Sequence, residues 1–193
     1  MIEQTEALRE LKLIRQMMQL SRGYSGRLWR FFVIWGALGV AACVSSQAML
    51  YVGRGQAIPW VWLAMFGTGF ALSALAGRSD ELQSGVASYV DRVVGSTWIA
   101  VTITVGLLAF AAPAAGGPFL FGAVPFVLGA GYFIMAPLLQ SRSWLGGAAV
   151  WWLGGLALIA RPESSFVILA AVMTATQLVP GVVLWRQSRG EGD

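Results

Sequence analysis

The sequence predicts an all-α protein, a polytopic bundle of six transmembrane helices with an amphipathic surface helix at its N-terminus. Three observations predict this fold class. Of the 193 residues, 57% are hydrophobic and 11% are charged, whereas an average soluble domain has about 25% charged residues. The apolar residues form runs long enough to cross a bilayer. Lys and Arg collect on one side of those runs, so lipid rather than water is the expected solvent.

The apolar runs define the predicted spans. A helix needs about 20 apolar residues to cross the hydrocarbon core of a bilayer, and the fifth run is the shortest. Turn-forming Gly, Pro and Ser residues lie in most of the gaps. The predicted spans are residues 28–52, 58–77, 97–115, 118–139, 144–160 and 166–185. They form a transmembrane domain over residues 27–187, between a cytoplasmic helix and turn (residues 1–26) and a cytoplasmic tail (residues 188–193).

The gap between the second and third spans, Arg78–Ser96, is longer than the others and predicts a short helix on the membrane surface. Its carboxylates, Asp80, Glu81 and Asp91, have no recognised metal-ligand spacing. We interpret them as a solvated helix face that pairs with nearby arginines. A membrane enzyme that acts on lipids would need its active site on this loop.

The distribution of Lys and Arg predicts the orientation. If the N-terminal segment is cytoplasmic, 11 of the 13 basic residues lie on the cytoplasmic side. That set comprises Arg9, Lys12, Arg15, Arg22, Arg27, Arg30, Arg78, Arg92, Arg142, Arg186 and Arg189. Only Arg54 and Arg161 lie on the other side. An even number of spans returns the chain to its starting side, so both termini are predicted to be cytoplasmic.

In the segment before the first span, apolar side chains recur at spacings of four, three and four residues, which is typical of an amphipathic helix. This candidate partner-docking face consists of Ala7, Leu11, Ile14 and Met18. A cleaved secretory signal is not expected, because the apolar run that follows is of full spanning length. Two interpretations stay open. The helix lies on anionic lipid, or its apolar face docks on a helix of a second copy or of a cytosolic partner.

Small residues predict where helices approach one another closely. In the second span, Gly69, Ser73 and Gly77 lie four residues apart, a spacing that lets helix backbones come together. The stretch GGAAVWWLGG (Gly146–Gly155) has the same character in the fifth span. Both segments predict a compact bundle, with the contact either within the chain or between subunits.

Neutral polar residues inside the spans are the candidate lining of an intramembrane cavity. These candidates are Gln47, Thr104, Thr174 and Gln177. Pro180 follows Gln177 and removes a backbone donor from the last span. In the competing interpretation, the same side chains hold helices together by hydrogen bonds worth about 0.6 kcal/mol each. The two interpretations differ in whether a solute contacts these groups.

Several kinds of chemistry are not expected. The chain has no histidine, and no predicted span carries a charged residue near its centre, where ion-coupled carriers usually need one. The only lysine, Lys12, lies outside the spans, and the only cysteine, Cys43, has no disulfide partner within the chain. A serine nucleophile would lack an activating base. We therefore expect no enzyme activity, cofactor or metal, and no direct contact with nucleic acid.

The motif LKLIRQMMQLSRGYSG (Leu11–Gly26), followed by the apolar WGALG (Trp35–Gly39), resembles the start of a group of uncharacterised bacterial multi-span inner-membrane proteins. In that group a basic IRxxMxxS helix precedes several spans, and the proteins are often encoded beside small winged-helix regulators. The resemblance covers the first fifth of the chain and ends after Gly26, where RLWRFF replaces a small, apolar continuation. It implies a cytosolic partner and no catalytic residue.

Together these features predict a non-enzymatic integral protein of a bacterial inner membrane. The leading hypothesis is a regulatory or scaffolding subunit that engages a partner through its cytoplasmic face, including the N-terminal helix. The alternative is a small transporter or channel subunit for a neutral or lipophilic solute. The expected partners are the lipid bilayer and either a cytosolic protein or further copies of the chain.

Overall fold

The computed structural model describes residues 28–84, 89–111 and 118–190 of the chain. Within these ranges the backbone is helical apart from short connections, and no strand occurs. The first five helices are α1 (Trp29–Tyr51), α2 (Ile58–Ser84), α3 (Tyr89–Ala111), α4 (Pro118–Leu138) and α5 (Ser143–Ala160). The predicted all-α class is confirmed for the described part of the chain.

The last helical rod has three consecutive parts, which we together name α6. An α-helix over Ser165–Met173 continues into a π-helical turn over Thr174–Leu178, and an α-helix over Val179–Gly190 completes the rod. Single 3-10 turns over Gly55–Ala57 and Pro162–Ser164 lead into α2 and α6. The chain thus contributes six helical rods to the described bundle.

Among the described residues, four helical segments are long and apolar enough to cross a bilayer. They are Trp29–Tyr51, Gly55–Arg78, Ser143–Ala160 and Pro162–Arg189. In α3 and α4 the described apolar stretches are shorter, Arg92–Leu108 and Gly122–Leu138. Helices that match the thickness of the hydrocarbon core indicate a membrane location for the protein.

The connection between α2 and α3 differs from the prediction. α2 continues beyond the predicted end of the second span to Ser84, and α3 begins at Tyr89 rather than at Thr97. α2 and α3 thus enter Arg78–Ser96 from its two ends, residues 85–88 lie outside the described ranges, and the surface location of this stretch stays a prediction. Extending an existing helix adds one hydrogen bond for each residue ordered, whereas a separate helix requires a new and costly nucleus. The stretch contains no proline that would stop such an extension.

Neighbouring helices run in opposite directions. Along α1 and α6, Val33 lies against Gly181, whereas Gly39 lies against Met173. α1 also packs on α2, α3 packs on α4, and α5 packs on both α4 and α6. These contacts order the helices as α2, α1, α6, α5, α4 and α3 across the bundle. The central four helices are α1, α4, α5 and α6, and the flanking pair is α2 and α3.

The alternating directions bring basic residues together at one end of the bundle. Arg30 lies at the start of α1, Arg142 lies between α4 and α5, and Arg186 lies near the end of α6. Arg54 and Arg161 occupy the connections at the opposite end. We call the first of these the arginine-rich end.

An aromatic core lies among the central helices, toward the arginine-rich end. The centroids of its contacting rings are 5.1 to 6.4 Å apart. The rings belong to Phe32, Trp98, Tyr132, Trp144 and Trp151. Tilted and edge-to-face pairs of this kind stabilise packing beyond the burial of apolar area. Because Trp98 belongs to α3, the aromatic core also attaches that flanking helix.

The predicted small-residue stripe of α2 meets a tryptophan of α1. A Cβ added at Gly69 would lie 3.0 Å from the ring of Trp35. The Trp35 Nε1 donates a hydrogen bond to Ser73 Oγ at 3.1 Å. Gly77 is different, because a Cβ there would meet no described atom within 4 Å. Gly69 and Ser73 therefore contact the side chain of Trp35, and Gly77 does not contribute to this contact.

Glycines also bring α4 and α5 together. Gly129 of α4 lies against the ring of Trp152, and Gly147 of α5 lies against the ring of Tyr132. A side chain at either glycine would occupy the space of these rings. Gly147 and Gly155 of the fifth predicted span thus face α4 and Gly154 faces α6, whereas a Cβ at Gly146 would meet no described atom within 4 Å.

Candidate functional site

Pro180 interrupts the backbone hydrogen bonds of α6. Proline has no N–H, so the carbonyl four residues earlier, that of Thr176, receives no α-helical donor from it. The hydroxyl of Tyr132, on α4, donates a hydrogen bond to this carbonyl at 3.0 Å. Carbonyls without a partner are costly inside a bilayer, where water cannot replace the missing donor. Tyr132 therefore supplies the hydrogen bond that Pro180 removes.

The π-helical turn before Pro180 widens α6 at the same level. There the N–H of Val179 donates to the carbonyl of Thr174, five residues earlier rather than four. The hydroxyl of Thr174 donates to the carbonyl of Ala170 at 2.7 Å, within the same rod. Turns of this type occur frequently at functional sites. The geometry of α6 is therefore irregular where it meets α4.

Tyr132, Trp151 and Gln177 form what we call the interior polar cluster. The rings of Tyr132 and Trp151 lie 6.3 Å apart between centroids, and Gln177 follows Thr176, whose carbonyl accepts the hydrogen bond of the Tyr132 hydroxyl. All three residues are buried, with exposed fractions of 3%, 0% and 8% respectively. Trp151 Nε1 and Gln177 Oε1 have no hydrogen-bond partner among the described residues. None of the three side chains is charged.

Two of the four predicted cavity residues lie on the π-helical turn. Gln177 belongs to the interior polar cluster and is buried. Thr174 is half-buried, and its hydroxyl proton is already used in the bond to its own helix. The two side chains thus lie on one turn of α6, but only Gln177 is part of the cluster.

Gln47 lies at a different level of the bundle. Gly36 of α1 packs against the backbone at Leu178, beside Gln177. Gln47 follows Gly36 by 11 residues, and a rise of 1.5 Å per residue separates the two levels by about 16 Å. Gln47 Oε1 and the neighbouring Ser46 Oγ are buried and lack partners within the ranges that the structure describes.

Thr104 lies on the outer side of α3, in an open groove against α4 with a volume of about 510 Å³. Its hydroxyl donates to the carbonyl of Ala100 at 2.8 Å. The groove is otherwise mainly apolar, and Ala130 and Ile134 contribute its α4 side. The structure therefore distributes the predicted cavity residues over three locations and does not gather them around one cavity. Contact of a solute with any of them stays a prediction.

Arginines and tryptophans meet where α1 begins and α6 ends. The rings of Trp29 and Trp185 are 6.4 Å apart between centroids. The guanidinium carbon of Arg30 lies 5.7 Å from the ring of Trp29, and that of Arg189 lies 4.6 Å from the ring of Trp185. Both distances are within the range of cation–π attraction. This surface is polar at its edge and aromatic beneath.

The predicted partner-docking face precedes this surface in the chain and lies outside the described residues. It comprises Ala7, Leu11, Ile14 and Met18. The side chains of the carboxylates Asp80, Glu81 and Asp91 also fall outside the described set. The docking of the first segment and the solvated, arginine-paired face of the second stay predictions.

Reasoning from the sequence missed Tyr132 and Trp151. One signal could have found Tyr132, because a proline in a predicted span requires a donor from another helix, and Tyr132 is the one tyrosine of four well inside a span. No comparable signal distinguishes Trp151 from the other eight tryptophans. Its place in the cluster depends on which face of α5 turns inward.

Among the described residues, no three acidic, cysteine or histidine side chains come together as a metal site. The expectations of no metal, no cofactor and no enzyme activity stay predictions. The interior polar cluster can form neutral hydrogen bonds, and the arginine-rich end can attract anionic surfaces. Comparison of the chain with protein families, curated proteins and solved structures returns no match.

Proposed function

We propose that the protein belongs to a bacterial inner membrane and crosses it six times, with the N-terminal segment and the end of α6 in the cytoplasm. Four helices of spanning length support this proposal. The opposite directions of neighbouring helices support it further, because they match the alternation of a polytopic chain. Assigning the arginine-rich end to the cytoplasm follows the positive-inside rule.

Thiol labelling tests this topology. The background variant Cys43→Ala removes the only cysteine of the chain, and single cysteines are then introduced as Glu163→Cys and Arg189→Cys, at exposed positions near opposite ends. A maleimide that cannot cross membranes should label Glu163→Cys in intact spheroplasts and Arg189→Cys only after the membrane is opened. The reverse pattern, or labelling of both in intact cells, would contradict the proposal.

We further propose that the protein is a non-enzymatic regulatory or scaffolding subunit that binds a partner through its cytoplasmic face. The observation that carries this proposal is the packed core of the central helices. The aromatic core fills the central helices, and the polar side chains of the spans lie at separate locations. A core of this kind favours a role at the ends of the helices over a passage between the central helices.

The charge of the cytoplasmic face indicates the chemistry of the partner. Arg142, Arg186 and Arg189 are exposed at the arginine-rich end, and the residues before α1 add further basic side chains. Such a face attracts an acidic protein surface. The resemblance of Leu11–Gly26 to proteins encoded beside winged-helix regulators supports a cytosolic protein as that partner.

Affinity purification from native membranes tests the scaffolding role. The full chain should recover one cytosolic protein in stoichiometric amount, and a variant without residues 1–21 should lose it while still inserting. The matched control, Arg54→Glu with Arg161→Glu, changes charges at the opposite end and should keep the partner. Equal recovery with and without residues 1–21, or no stoichiometric protein at all, would contradict the proposal.

A second candidate function is transport of a small lipophilic solute. The groove between α3 and α4 favours it, because the groove is open, mainly apolar and edged by Thr97 and Thr104. In liposomes, Thr104→Leu should reduce flux by filling the groove, and Gln177→Leu should reduce it only if the solute passes through the interior. Absence of flux in the wild-type protein would remove this candidate.

A further inference from the structure

The groove between α3 and α4 is a depression in the outer surface of the bundle, with a volume of about 510 Å³. Small residues create it, namely Ala100 on α3 and Ala130 and Gly131 on α4. The two helices meet along the groove, because a Cβ at Gly131 would lie only 3.1 Å from the side chain of Val101. The groove therefore lies between two packed helices, on the side of the bundle that faces lipid.

The hydroxyl groups in the groove already use their protons. Ser96 and Thr97 both donate to the carbonyl of Val93, at 3.0 and 2.8 Å, and Thr104 donates to the carbonyl of Ala100 at 2.8 Å. The other residues that line the groove are apolar. A polar solute would lose its water here and find no free side-chain donor, which is costly. The lining therefore favours a hydrocarbon chain.

The length of the groove corresponds to one leaflet of a bilayer. Thr104 follows Ser96 by eight residues on α3, and a rise of 1.5 Å per residue gives about 12 Å. The hydrocarbon core is about 30 Å thick, so each leaflet contributes about 15 Å. An acyl chain ends within its leaflet, whereas a helix of a second copy would run past both ends of the groove. The length thus favours a lipid tail as the occupant.

A basic residue lies at one end of the groove. The groove joins the first half of α3 to the second half of α4 and so lies toward the arginine-rich end. Arg92 precedes Ser96 by four residues and is exposed. Residues four apart in a helix are neighbours on its surface. Arg92 therefore lies where a lipid with its tail in the groove would carry its phosphate.

We propose that the groove holds one acyl chain of an anionic phospholipid and that Arg92 binds the phosphate of this lipid. The tail fills the depression beside Ala100 and Ala130, and the guanidinium forms charge-assisted hydrogen bonds to the phosphate oxygens. Basic sites between membrane helices on the cytoplasmic side bind anionic headgroups in this way. The inference depends neither on the scaffolding role nor on transport. Only the assignment of the lipid to the cytoplasmic leaflet rests on the proposed topology, which thiol labelling tests separately.

Native mass spectrometry of the full chain in detergent tests the proposal. Phosphatidylglycerol and phosphatidylcholine with identical acyl chains are compared, so that only the headgroup differs. We expect one phosphatidylglycerol to bind in preference, and Arg92→Gln to lower its affinity about fivefold, which corresponds to about 1 kcal/mol per basic residue. The matched control, Arg54→Gln, changes an exposed arginine at the opposite end and should keep the wild-type affinity. Equal affinity for both lipids, or equal losses in both variants, would overturn the proposal.

A second pair of variants tests the position of the tail. Ala130→Leu fills the groove and should lower the affinity for phosphatidylglycerol several-fold. Ala71→Leu makes the same change at an exposed position of α2, outside the groove, and should leave the affinity unchanged. Unchanged affinity in Ala130→Leu would overturn the placement of the tail. A dimer that Ala130→Leu dissociates would also overturn it, because a second copy would then occupy the groove.

Photocrosslinking locates the lipid in the wild-type protein and does not require any variant to fold. Liposomes contain phosphatidylglycerol with a diazirine in its acyl chain, and the adducts are mapped by mass spectrometry. Adducts should concentrate on the residues of α3 and α4 that line the groove. Adducts spread evenly over α2 and α3 would overturn the proposal.

Discussion

In α5 and α6, 33% of the residues in the apolar window are buried within the protein, whereas in α2 the share is 11%. α3 resembles α2 in this respect, since Ile99, Ile103 and Leu107 are each about 60% exposed. The central helices bury glycines and rings against one another. The flanking helices present aliphatic side chains outward on most of their surface.

The comparison shows what holds helices together in lipid. Aliphatic side chains gain little by leaving hydrocarbon for the protein interior, so packing depends on close approach and on hydrogen bonds. The central helices have both, through Gly36 against α6 and through Tyr132 bonded to Thr176. Between α1 and α2, Trp35 lies against Gly69 and donates to Ser73, and Ile58 and Trp62 of α2 are partly buried against the core. The flanking helices are therefore expected to be the more easily displaced part.

A single methyl group gives the sharpest test of this difference. A Cβ at Gly36 would lie 2.7 Å from the backbone nitrogen of Leu178. Backbone atoms cannot yield like a flexible side chain, so Gly36→Ala should separate α1 from α6. We expect a loss of about 1–3 kcal/mol in the free energy of unfolding, the range for overpacked sites. Denaturation with sodium dodecyl sulfate in mixed micelles measures it.

The matched control is Gly67→Ala on α2, where a Cβ would meet no described atom within 4 Å. This substitution should not lower stability, because the added methyl group is accommodated and alanine is favoured over glycine inside a helix by about 0.5–1 kcal/mol. Equal losses in both variants would show that the central and flanking helices do not differ in packing.

Removal of the Tyr132 hydroxyl gives the second largest expected effect. Tyr132→Phe should cost about 1 kcal/mol, because the carbonyl of Thr176 loses its donor. In the Pro180→Ala background, residue 180 has an N–H that can donate to this carbonyl. The loss of unfolding free energy caused by Tyr132→Phe should then be smaller. A double-mutant cycle of unfolding free energies measures the coupling. If the two changes in unfolding free energy simply added, the Tyr132 hydroxyl would not be replacing the donor that Pro180 removes.

Ser73→Ala gives the smallest expected effect. It removes the acceptor of the Trp35 hydrogen bond at the contact between α1 and α2. Hydrogen bonds between membrane helices average about 0.6 kcal/mol, and the same loss is expected here. Limited proteolysis of the connection between α2 and α3 should speed up if this bond secures the flanking helix. An unchanged rate would show that other contacts secure α2.

Much of the helix framework could be predicted from the sequence. The predicted starts and ends of the first, fourth and fifth spans fall within one residue of α1, α4 and α5. Long apolar runs with turn residues between them leave few alternatives in lipid, where every backbone group needs an internal partner. The extension of α2 and α3 into residues 78–96 was not predicted, because polar residues neither require nor forbid the continuation of a helix.

The candidate site could be predicted only in part. Gln177 stood out because an amide is rare in an apolar span, whereas Tyr132 and Trp151 looked like ordinary aromatic residues of a bundle. Thr104 and Gln47 stood out for the same reason as Gln177, yet they lie on other surfaces and at other levels. Residue type alone identifies which groups need partners, and it does not say which groups meet.

The sequence by itself determined the helical class, the apolar character that suits a bilayer, and the separation of the basic residues into two unequal sets. Each of these is a local property, because it depends only on the composition of an apolar run or of the gap beside it. Only the tertiary structure decided that Tyr132 donates to the Thr176 carbonyl, which lacks a helical donor because of Pro180. Tyr132 and Thr176 are 44 positions apart in the sequence. In helices that are apolar on all sides, no periodic pattern marks the inward face. Close packing at glycines and rings selects that face, and with it the polar groups that come together.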